Sequence, residues 1–142
     1  MIRVPGSLVA QMRREAEASY PGECCGFLAG RARPVKEVVQ VIPAVNRRND
    51  DPHRYLIDGE EWRRVEREVA GAGWEILGYY HSHPDHPAVP SAFDTAHAWP
   101  WYSYVIVEVR SSRASAMGSW VLGGDSGVFQ AEPLIVLNEV EA

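Results

Sequence analysis

The sequence predicts an α/β (α+β) domain in which a mixed β-sheet is covered by helices. Three observations carry this expectation. Apolar residues recur at helical spacing near the N-terminus and again after residue 58, extended stretches rich in Val, Ile and aromatics lie between and after them, and the two kinds interleave. At 142 residues the chain is expected to form a single domain spanning 1–142. Hydrophobic residues make up 46% and charged residues 23%, a balance that supports a packed core and excludes a disordered chain.

The elements follow in order. Leu8, Val9, Met12 and Ala16 make the apolar stripe of a first helix, closed near Tyr20, Pro21 and Gly22. CCGFLAG reads as a strand, and Val35 to Val45 as another, with Pro43 marking an edge or a strand end. Asn46 to His53 is a polar loop. Asp58 is placed to cap a second helix, Glu61 three residues later fits a capping box, and Trp62, Val65 and Val69 share one face. WEILGYYHSHP is extended and stops at Pro84, and Ser91 opens a short third helix, SAFDTAHAW. YSYVIVEV, SAMGSWVLG and PLIVLNEV complete the pattern as three further strands.

Composition narrows the function. Fourteen Lys and Arg against 19 Asp and Glu give a net charge of −5, with Lys36 the sole lysine, which argues against a nucleic-acid partner. No apolar run reaches the length of a membrane-spanning helix, and the opening stretch is too charged for a signal peptide, so a cytoplasmic protein is expected. Cys24 and Cys25 are neighbours, which excludes a disulfide scaffold and fits two small buried residues. Exposed sheet edges would allow a homodimer.

The chemistry concentrates in HSHPDHPAVPSAFD. His81 and His83 are two apart on a strand, so both rings emerge from one face. Asp94 lies one turn into a helix that starts beside the strand's end. Two His and one carboxylate leave a coordination position open, the composition of a catalytic rather than a structural zinc site. Hydrolysis also requires a group that moves a proton to the leaving group, and Glu23, ahead of an apolar strand, is the candidate. Each piece has a plainer reading: Ser91-x-x-Asp94 is also a capping box, a lone His pair serves as well in a core, and Glu23 could be a surface acid. Ser82 reads as a hydrogen-bonding support, His53, His86 and His97 as solvated or substrate-facing, and Trp62, Trp99, Trp101 and Trp120 as core or groove lining. A serine-hydrolase triad or a non-haem iron site uses the same residue types and stays open at this level.

Glu23 together with His81, His83, Pro84, Ser91 and Asp94 resembles the JAMM (MPN-plus) metalloproteases, whose motif is an upstream Glu, H-x-H-P, a Ser seven residues after that Pro, and S-x-x-D. GECCGFLAG is similar to the family's first core strand, and RYLIDGEEW to its lead into the second helix. The resemblance implies a deaminase-like three-layer fold, one Zn2+ held by His81, His83 and Asp94, Glu23 as general acid/base, and Ser91 as donor to the oxyanion. It further implies the small prokaryotic branch, which acts after the C-terminal Gly-Gly of ubiquitin-like sulfur-carrier proteins, for example releasing cysteine from a carrier adduct. A broader deubiquitinase-like isopeptidase and a non-catalytic binding module are the alternatives within the same fold.

Overall fold

In the computed structural model, which describes residues 1–46 and 56–138, eight strands form one mixed sheet. The elements are β1 (Ile2–Pro5), α1 (Gly6–Ser19), β2 (Cys25–Arg31), β3 (Lys36–Ala44), α2 (Gly59–Gly71), β4 (Glu75–Pro84), α3 (Ala92–Ala96), β5 (Ser103–Arg110), β6 (Arg113–Leu122), β7 (Phe129–Glu132) and β8 (Leu134–Leu137). Their order across the sheet is β7-β6-β5-β4-β2-β3-β1-β8. β4 and β5 run parallel, as do β1 and both of its neighbours, and the remaining pairs are antiparallel. No helix among the described residues is long and apolar enough to cross a membrane.

The two sheet faces are covered separately. Val9, Met12 and Ala16 of α1 pack on Ile2, Val4, Leu28 and Tyr80, while Val65 and Val69 of α2 pack on Phe27, Ala29 and Tyr79 on the other face. Burying a side chain such as Met12 contributes roughly 1.5–3 kcal/mol, so these two stripes hold the layers together. Asp58 caps α2 by accepting from the Glu60 amide at 2.8 Å, as expected. The expected capping box does not close there: Glu61 instead accepts from the Val45 amide at 3.2 Å, tying the helix to the end of β3.

Three features depart from the linear reading. The chain opens with a strand, β1, where none is expected, because Ile2 and Val4 are buried between β3 and β8. PLIVLNEV, expected as a single strand, yields only β8 among the described residues, and β7 precedes it. The two are separated by Pro133 and lie at opposite sheet edges; the Pro133 carbonyl accepts from the Ile2 amide at 3.0 Å and starts the pairing of β8 with β1. Pro43 sits inside the sheet, but β1 pairs only with Lys36 and Glu37 of β3, so the proline faces no partner strand on that side. Of the expected polar loop and the RYLIDGEEW lead, residues 47–55, His53 among them, lie outside the described residues.

A bulge in β4 sets the face of everything that follows. Leu28 pairs with Gly78 but Ala29 pairs with Ile76, leaving Leu77 as the extra residue. Ile76 and Tyr79 therefore both point toward α2, and strict alternation from Tyr79 carries His81 and His83 to that side as well.

Candidate active site

At the end of β4 the two imidazoles and the α3 carboxylate converge. His81 Nε2 lies 3.1 Å from His83 Nε2, and Asp94 brings Oδ2 to 3.0 Å from His83 Nε2 and Oδ1 to 3.2 Å from His81 Nε2. All three residues are buried. Asp94 is aimed by the first turn of α3: the Ser91 amide donates to its Oδ2 at 2.8 Å while its own amide donates to Ser91 Oγ at 3.0 Å. The capping box is thus real, and it holds the carboxylate where the His pair meets it. Accepting at Oγ leaves the Ser91 hydroxyl proton available for another partner.

His83 Nδ1 lies 2.8 Å from the Pro87 carbonyl. A carbonyl only accepts, so Nδ1 carries a proton and donates it there, and Nε2 is the ring nitrogen that faces His81 and Asp94. His81 Nε2, His83 Nε2 and the Asp94 carboxylate thus converge on one space, a donor set that suits a divalent cation. Burial works to raise the Asp94 pKa, but the contacts with His81, His83 and the Ser91 amide outweigh it and hold the carboxyl below the usual range. Burial lowers the His81 pKa, with Asp94 only partly opposing. The carboxylate is therefore anionic and His81 is biased toward the neutral form, the protonation states that ligation requires.

Glu23 reaches the site through the β2–β4 ladder. Cys25 pairs with His81, the Ser82 amide donates to the Cys24 carbonyl at 3.1 Å, and the Cys24 amide donates to Ser82 Oγ at 2.8 Å. One residue earlier, buried Glu23 shares a cavity of about 460 Å3 with His83, His86, Val89 and Ser91. Ser82, between the two His, is the hydrogen-bonding support expected of it. Asn46, which the linear reading passed over, donates to the Glu23 carbonyl at 3.0 Å and accepts from the Leu56 amide at 3.0 Å. Nothing in the sequence around Asn46 signals this.

A second cavity of about 250 Å3 adjoins Asp94 on the α2 side and is lined by Trp62, Tyr79, Phe93, His97, Trp99 and Tyr104. His97 stacks on Phe93 at 4.1 Å and sits outside the converging trio, as does His86. Among the tryptophans, Trp62 donates to Tyr79 Oη at 2.7 Å and Trp120 to the Ala88 carbonyl at 3.0 Å; Trp101 packs under Lys36, away from the His pair. Burial pushes the Cys24 thiol up to about 11 and the Cys25 thiol up to about 12, so both stay protonated near neutrality.

Comparisons with known proteins agree with this arrangement. Residues 5–123 match the family described as prokaryotic homologs of the JAB domain. A desampylase of Haloferax volcanii is 36% identical over 101 residues, covering 70% of this chain and 72% of its own. The Thermus thermophilus protein named "Probable TtuB-protein conjugate cleaving protease" is 32% identical over 114 residues, covering 80% and 74%. Among solved structures, a protein of Desulfitobacterium hafniense superposes with a TM-score of 0.86 at 30% identity, covering 99% of this chain and 96% of its own. A JAB1/MPN domain protein from Archaeoglobus fulgidus gives 0.59 at 16% identity, covering 96% and 97%, a likeness of fold. With its sheet order, its HSHP strand end and its capped Asp94, the chain belongs to the prokaryotic JAB family and has the JAMM/MPN fold.

Proposed function

We propose that the chain is a zinc-dependent hydrolase that cleaves the bond following the C-terminal Gly-Gly of a ubiquitin-like sulfur-carrier protein joined to another molecule. The single observation that supports this most is the convergence of His81, His83 and Asp94 beside a cavity that Glu23 also lines. The names of the two curated relatives support a ubiquitin-like conjugate as substrate.

His81, His83 and Asp94 would hold the zinc, which when bound polarises a carbonyl oxygen and acidifies water. The other roles belong to the chain itself. Glu23 accepts the proton of the attacking water and passes it to the departing nitrogen, which requires a carboxylate held rigidly in the same cavity. The bond between the Cys24 amide and Ser82 fixes the backbone next to Glu23 and supports that role. Ser91 donates its hydroxyl proton to the oxyanion that develops on the scissile carbonyl, a contribution typically worth about 10² to 10³ in rate. The aromatic cavity beside Asp94 receives apolar side chains of the tail.

Protein conjugates and carrier–cysteine adducts place the same Gly-Gly acyl group at the site and differ only in the amine released. The test incubates zinc-loaded protein with a candidate carrier bearing either a lysine-linked peptide or a C-terminal cysteine and reads the mass of the carrier. Release that stops with chelator and in Glu23→Gln, while Glu23→Gln retains one zinc per chain, supports the proposal. Chelator-resistant release, or a zinc-replete Glu23→Gln that turns over normally, overturns it.

A further inference from the structure

We infer that Asp85 is a positioning residue for His83, acting from outside the site through the Pro87 carbonyl. Asp85 directly follows the last residue of β4 and adopts φ +55°, a left-handed conformation that only Gly, Asn and Asp visit readily. Four contacts hold it there. Its amide donates to the Val109 carbonyl at 2.6 Å, its carbonyl accepts from Arg110 at 3.1 Å, its Oδ1 accepts from the Ser111 amide at 3.0 Å, and its Oδ2 accepts from Tyr20 Oη at 2.5 Å. The residue that turns the chain out of the ligand strand is thereby fastened to the end of α1 and to the β5–β6 turn.

Three residues on, Trp120 of β6 donates to the Ala88 carbonyl at 3.0 Å. Gly118 leaves room for that indole, since a Cβ there would meet Trp120 Nε1 at 3.2 Å and the Ala88 carbonyl at 3.3 Å. Between these two anchors lies Pro87, whose carbonyl receives His83 Nδ1–H. Groups that orient a ligand imidazole through its far nitrogen commonly change metal affinity by about 10- to 100-fold. Here the orienting group is a backbone carbonyl, so its position depends on what pins the loop, and Asp85 is the first pin.

This rests on the zinc-site reading above, and the experiment separates the two. Zinc affinity of the purified chain is measured by competition with a chromophoric chelator, alongside the thermal midpoint and the His83 Nδ1–H resonance of the zinc-free protein. Asp85→Gly keeps the left-handed backbone and removes the carboxylate; affinity should fall about tenfold and the resonance should be lost to exchange. Asp85→Asn keeps the backbone preference and an acceptor oxygen and should stay within about twofold of wild type. Tyr20→Phe deletes one contact and should give an intermediate loss of about threefold, which decides the matter if Asp85→Gly does not fold. Wild-type affinity and an intact resonance in well-folded Asp85→Gly overturn the positioning role alone. A wild-type chain that binds no zinc overturns the site reading and this inference with it.

Discussion

Gly78 sits in β4 three residues before His81, at the point where the strand pairs in parallel with β5. A Cβ placed on it would lie 1.9 Å from the Ser103 carbonyl oxygen, 2.7 Å from the carbonyl carbon and 2.8 Å from the amide nitrogen. Ordinary contact begins near 3.4 Å, so Gly78→Ala forces the two backbones apart by about 1.5 Å. A ladder hydrogen bond of about 2.9 Å does not survive that displacement. Gly78↔Ser103 and Tyr79↔Tyr104 lose their pairing first. Two buried ladder bonds left unmade cost roughly 1–3 kcal/mol each, so the loss should be about 2–6 kcal/mol, a large share of a typical total of roughly 5–15 kcal/mol. Urea unfolding followed by circular dichroism reads the change. Gly71→Ala is the internal control: it lies at the end of α2 with nothing within 4 Å of its Cβ position, so alanine there should be neutral or stabilising by up to about 1 kcal/mol. A Gly78→Ala protein within about 1 kcal/mol of wild type would refute the claim that close strand approach here holds the strand bearing His81 and His83 in place.

Three further outcomes are expected. Ser91→Ala removes the Oγ acceptor of the Asp94 amide and should cost about 1 kcal/mol; if turnover of a carrier conjugate stays at the wild-type rate in that variant, Ser91 serves only as a helix cap and not as an oxyanion donor. Asp94→Asn should abolish stoichiometric zinc in metal analysis, because the two imidazoles alone are a poor site, and a full zinc complement would count against Asp94 as ligand. The raised thiol pKa values of Cys24 and Cys25, about 11 and about 12 against 9.0 unperturbed, keep both neutral in the folded chain. Their contribution to stability is in place below pH 9.0 and is lost as pH rises through the folded values, since the unfolded thiols ionise first. Alkylation at pH 8 should therefore require denaturant, and rapid labelling of native protein would contradict their burial.

Sequence alone determined the local features of this protein. The two-residue spacing of His81 and His83 fixes a shared face on any strand, the Ser91-x-x-Asp94 spacing fixes a cap on any short helix, and the stripes of α1 and α2 announce which sides they bury. The resemblance carried by Glu23, His81, His83, Pro84, Ser91 and Asp94 led to the right family because those spacings persist in the linear chain. Tertiary structure decided which face the His pair would use, since the Leu77 bulge shifts the alternation of β4 by one residue. It also decided that Glu23 shares a cavity with His83, brought there by the pairing of Cys24 with Ser82. β1, the separation of β7 from β8, and the Asp85 and Trp120 anchors were equally out of reach. Propensity and periodicity act over a few residues, whereas a strand's partners and a loop's anchors are chosen by what the rest of the fold places beside them.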